Sequence, residues 1–130
     1  MFLFDCCKKK RLKNPIKVIK DVVYEHNQFE LRISSEHGTI KLDKFKYGYS
    51  LKIPIDSDCS VQKTVNLLTH ELSFEYHIRE DFNSGRIKKQ EISQNDFDKH
   101  FDKLHYNIQK AIAWDVKSYY ATNHSYSKTL

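Results

Sequence analysis

Between Phe29 and Ile92 the chain returns again and again to strict alternation of apolar and polar residues, and this period of two most limits the folds open to it. Successive side chains of a strand point to opposite faces, so alternation describes a sheet with one face buried and the other wet. Phe29-Glu30-Leu31-Arg32-Ile33 shows the pattern first, and Thr39-Ile40-Lys41-Leu42-Asp43 repeats it beyond the His37-Gly38 turn signal, so the two read as a hairpin. Leu51-Lys52-Ile53-Pro54-Ile55 continues it, with Pro54, which donates no hydrogen bond, marking an edge strand or a strand end. Leu72, Phe74, Tyr76 and Ile78 then alternate with Ser73, Glu75, His77 and Arg79, and Asn83-Ser84-Gly85 turns the chain into a second hairpin over Arg86 to Ile92. Residues 60–69 read differently. Val61, Val65 and Leu68 stand at helical spacing behind Ser57, Asp58 and Ser60 as caps, which predicts a short helix.

After Ile92 the period changes to that of a helix. Ser93 or Asn95 offers a cap, Asp96 and Asp98 favour the positive end of a helix dipole, and the pattern runs to about Tyr120. Phe97, Phe101, Leu104, Ile108, Ala111 and Ile112 fall on one stripe, which the sheet must cover. The expected fold is therefore α+β: an antiparallel sheet of five or six strands with one long C-terminal helix packed on one face, and one short additional helix around residues 60–69. With 130 residues, 39% of them hydrophobic and 17 aromatic, the chain reads as one folded unit. Residues 1–14 form a basic leader or first strand, 15–121 a single domain and 122–130 a polar tail.

The net charge of +5 is unevenly placed. Seven cations stand against Asp5 alone in residues 1–20, leaving 15 positive and 16 negative charges over the other 110 positions, so the body is close to neutral. Lys8, Lys9, Lys10 and Arg11 could neutralise nucleic-acid phosphates without reading sequence. Behind Cys6-Cys7 they also have the layout of an acylated, polybasic membrane anchor, the weaker of the two readings. No apolar run approaches the roughly 18 residues that span a bilayer, and three cysteines without metal or disulfide spacing point to the cytoplasm.

The chemistry-bearing motifs are few. His70-Glu71 with Glu75 and His77 lacks the spacing of a zinc protease, although Glu75 and His77 share one strand face as an acid-base pair would. Asp98, Asp102 and His105 lie on one helix flank, which offers a metal no closed shell. No cofactor motif occurs, and no enzyme activity, metal or cofactor is expected. Around Lys44 to Lys52, Lys46, Tyr47 and Tyr49 interleave cations with aromatics as strands that stack RNA bases do, the basis of a nucleic-acid alternative.

On a helical wheel Lys99, Lys103, Lys110 and Lys117 lie together, bordered by Trp114 and Tyr106 and away from the apolar stripe. A lone Trp among cations is a composition enriched at binding hot spots. The first functional expectation is accordingly a small non-catalytic protein-binding domain, of the inhibitor, immunity or antitoxin type, whose partner is a toxin or another enzyme. Trp114, Tyr106, Lys103, Lys110 and Lys117 are its expected contact residues. Asp115 falls in the middle of the apolar stripe. A helix of about 26 residues is some 39 Å long against about 17 to 20 Å for a strand, which predicts that Asp115 overhangs the sheet. Val116, Tyr119 and Tyr120 would then be exposed and available to a partner or to a homodimer.

Overall fold

The computed structural model describes residues 24–81 and 83–123, with no side-chain account of positions 81, 122 and 123. Seven strands follow one another as β1 (Tyr24–His26), β2 (Glu30–Ser35), β3 (Gly38–Phe45), β4 (Gly48–Pro54), β5 (Cys59–Asn66), β6 (Glu71–Asp81) and β7 (Arg86–Glu91). Each pairs antiparallel with the next, so spatial order equals chain order throughout the sheet. Two helices complete the chain, α1 (Gln94–Asp102) and α2 (Tyr106–Asn123).

The register turns the alternation into two unlike faces. Leu31, Ile33, Ile40, Leu42, Leu51, Ile53, Val61 and Phe74 are buried and form the core with Phe97 of α1 and Ile108, Ala111 and Ile112 of α2. Across the opposite face one lateral row runs Glu25, Arg32, Lys41, Lys52, Gln62, Glu75 and Glu91, one residue from each strand and every one polar. No described element covers that face. α1 packs over β5 and β6, and α2 over β2 and β3. The Phe74 and Phe97 rings meet at 5.6 Å beneath α1. Burying such side chains is worth about 1.5 to 3 kcal/mol each, the main force holding the helices to the sheet.

Three expectations are corrected. Residues 60–69 are strand β5 and its following turn, not a helix: Val61 and Val65 are as compatible with period two as with period four, and pairing to β4 and β6 decides for the strand. The sheet has seven strands among the described residues rather than five or six, because both β1, ahead of the first hairpin, and β5 join the five read from the sequence. The long helix is two helices. α1 is capped by Ser93, one of the two caps expected, whose side chain accepts the Asp96 amide, and Lys103 caps its end. α2 is then opened by His105, whose Nδ1 accepts the Asn107 amide at 3.1 Å, while Gln109 Nε2 reaches back to the Leu104 carbonyl at 2.9 Å. Pro54 ends β4, a central strand. The basic leader (Lys8, Lys9, Lys10 and Arg11), the Cys6-Cys7 pair and the tail beyond Asn123 lie outside the described residues.

Candidate interaction surface on the second helix

The helix break decides where the basic and aromatic residues stand. Tyr106, Lys110, Trp114 and Lys117 share an arc of roughly 80° on α2, spread along about 17 Å of helix axis. All four are exposed, Tyr106 at 67% and Trp114 at 43% of their surface. Lys110 Nζ lies 5.2 Å from the centre of the Tyr106 ring, so the cation and the ring form one patch. Lys103 is separated from them. It caps α1 and, with His100, Leu104 and His105, lines a groove against Ser35, Glu36 and His37 of the β2–β3 turn. Lys99 belongs to α1 and pairs with Asp96 at 3.8 Å.

Asp115 lies on the opposite side of α2 from this patch, and here the overhang expectation fails. Its carboxylate is 2% exposed and receives Lys44 Nζ of β3 at 2.5 Å and His26 Nε2 of β1 at 2.7 Å. Lys44 is itself buried, 3.5 Å from the Asn27 carbonyl and 5.7 Å from the Tyr119 ring centre. His26 Nδ1 is sealed and has no hydrogen-bond partner among the described residues. A bare carboxylate at this depth would be prohibitively costly, and the two donors supply what burial removes. Val116 is half-buried, Tyr119 half-buried and Tyr120 buried, so these are not the exposed apolar groups that an overhang would leave. The helix break removes the overhang: α2 starts afresh over β2 and β3, and its last turns reach the β3–β4 turn, where the Tyr120 hydroxyl lies in hydrogen-bond reach of the Phe45 and Gly48 carbonyls.

The aromatic strand of the nucleic-acid alternative is taken apart by the same register. Lys46 and Tyr47 occupy the β3–β4 turn and are exposed, with Lys46 Nζ 5.1 Å from the Tyr47 ring centre. Tyr49, two residues on, is turned to the helix side and packs against the core. The two tyrosines therefore do not line one open sheet face.

Sequence reasoning missed an apolar rim. The β1–β2, β3–β4 and β5–β6 turns lie at the same end of the sheet and carry Phe29, Phe45, Tyr47, Leu68 and Leu72, each 41% to 59% exposed. No local signal marks it, because the five residues come from three turns that only the meander brings together. Asp98, Asp102 and His105 form no ligand group, and no cluster of three metal-ligating residues exists among the described residues. No helix there is long and apolar enough to cross a membrane. No protein-family model, no curated protein and no solved structure matches this chain.

Proposed function

We propose that this chain is a small non-catalytic protein-binding domain, of the inhibitor or immunity type, that docks its partner on the outer face of α2. The observation that carries the reading is Trp114. The sole indole of the chain stands in mid-helix, outside the core stripe, with 43% of its surface exposed. An indole in that position is a large apolar surface left in water, and burying it against a partner recovers energy that the monomer forgoes. Lys110 and Lys117 on the same arc, with Tyr106 two turns away, give the patch the aromatic and cationic make-up of a binding hot spot. The matching partner surface has an apolar slot for the indole rimmed by carboxylates, and a homodimer is the alternative occupant to be excluded.

A photo-reactive amino acid placed at Lys110 or Lys117, and in parallel at Lys88 on β7, tests this in the native cell. The reading expects one heterologous protein joined from the α2 positions, none from Lys88, and loss of the adduct with Trp114→Ala. Equal adducts from α2 and from Lys88, or an adduct only to a second copy of the chain, contradict it.

A further inference from the structure

The Glu75 and His77 pair singled out in the sequence stands on the sheet face that no described helix covers, and the fold builds a bowl around His77. Register places Pro54, Ser60 and His77 side by side on β4, β5 and β6. These three line the floor, with Lys52 one step along the strands to one side and Arg79 to the other, and the turn Asp56 to Cys59 makes a wall. The cavity holds about 200 Å³, room for a small molecule and not for a segment of folded protein.

Three features set this bowl apart from an ordinary wet sheet face. First, Ser60 and His77 are 8% and 7% exposed although they lie on the uncovered side. Second, a Glu75 oxygen sits 3.0 Å from His77 Nε2. An ionised carboxylate can only accept, so Nε2 carries the proton and the ring is held with Nδ1 as the atom left over. Third, neither Nδ1 of His77 nor Oγ of Ser60 hydrogen-bonds to another described residue, and neither atom is sealed from solvent. Two buried residues that line one cavity thus carry unused polar atoms, next to the half-buried Lys52.

The wall also brings two carboxylates, Asp56 and Asp58, to the rim of that space. Asp56 Oδ1 is occupied by the amides of Asp58 and Cys59 at 2.8 and 2.9 Å, and Asp58 Oδ1 is sealed from solvent. The cavity is then lined by the Ser60 hydroxyl, the His77 imidazole and the cations Lys52 and Arg79, with Asp56 and Asp58 held in the wall turn. A phosphoryl group answers the hydroxyl, the imidazole and the cations together: its oxygens accept from Ser60, its charge meets Lys52 and Arg79, and a protonated oxygen, as in hydrogen phosphate, donates to Nδ1. A carboxylate, at neutral pH an acceptor alone, leaves Nδ1 without a donor.

We propose that this bowl is a binding site for a small phosphoryl-bearing molecule, with Ser60 and His77 at its floor and Lys52 as its principal counter-charge. It lies on the face opposite to α2, so it stands or falls independently of the partner surface there.

The test is a titration of the full chain with inorganic phosphate at constant ionic strength, followed by amide NMR. Saturable shifts confined to residues 52–60 and 75–79 are expected. Affinity should fall about tenfold in His77→Gln and in Lys52→Gln, the weight of one charge-assisted hydrogen bond. Lys52 is half-exposed, so its variant keeps the fold should the buried His77 variant lose it, and the same spectra report folding. Acetate at equal ionic strength should give only weak, unsaturated shifts. Linear shifts spread over all surface lysines, unchanged affinity in Lys52→Gln, or acetate binding as tightly as phosphate would overturn the proposal.

Discussion

Lys44 of β3 and Asp115 of α2 form an ion pair with 1% and 3% of their side chains exposed, 71 positions apart in the chain. The pair, with His26 as second donor, is a polar lock beneath a helix held mainly by apolar contacts and, at its far end, by the Tyr120 hydroxyl. Removing one member strands the other charge away from water, which costs roughly 3 to 5 kcal/mol, while replacing both with apolar groups of similar size is close to neutral. Lys44→Met alone should accordingly be destabilised in urea unfolding, and Lys44→Met with Asp115→Leu should recover part of that loss, the buried His26 ring then lacking its carboxylate. Equal losses in the single and double variants would show that the pair is not coupled.

Gly48 opens β4 where the backbones of β4 and β5 approach closely. A Cβ there would overlap the Val65 carbonyl oxygen, a backbone atom that cannot swing aside. Gly48→Ala should therefore lose about 1 to 3 kcal/mol of stability, in contrast to the small gain that reduced chain freedom gives at an unstrained site. Thermal unfolding measures the sign directly.

Glu30 and Asp43 face each other across β2 and β3, and their carboxyls are displaced in opposite directions. Burial pushes Asp43 above its ordinary value, Lys41 opposes the shift and Glu30 adds to it. For Glu30 burial acts upward as well, but Arg32 at 3.2 Å and Lys41 at 3.5 Å outweigh it and hold the group below its ordinary value. The signs give different pH dependences. Ionised Asp43 weakens the fold increasingly as pH rises from its unfolded to its folded pKa, whereas Glu30 contributes stability that is lost as pH falls through its depressed folded pKa. Asp43→Asn should thus gain a few tenths of a kcal/mol at neutral pH, the scale of a partly solvated pair, and the gain should vanish below about pH 3. Urea unfolding as a function of pH reads both.

Legibility followed the locality of each signal. The hairpins at His37-Gly38 and Asn83-Ser84-Gly85 could be read because alternation and turn chemistry agree within a dozen residues. The cap of α1 could be narrowed to Ser93 or Asn95 for the same reason, and it is Ser93. The strand at Cys59–Asn66 could not, since Val61 and Val65 satisfy both periods and only two neighbouring strands choose between them. The break after Asp102 was hidden because Leu104 continues the apolar stripe and the cap that follows is a histidine ring, outside the usual cap residues. Asp115 illustrates the remaining limit. Its place on the stripe was visible, but the lysine and histidine that make its burial tolerable come from strands 71 and 89 positions away. The bowl around His77 was legible only as the Glu75 and His77 pair, because Ser60 and Lys52 join it through register.

Trp114 carries the central claim, and its affinity contribution is the most direct measurement of it. The protein joined to α2 by cross-linking should be purified and titrated calorimetrically against the native chain and Trp114→Ala, with the melting temperature of each recorded. Truncation of a hot-spot indole should weaken binding by about 30-fold or more, on the scale of 2 kcal/mol, with the melting temperature unchanged because the ring lies outside the core. Affinity equal to that of the native chain would contradict the account, as would a loss matched by a fall in stability.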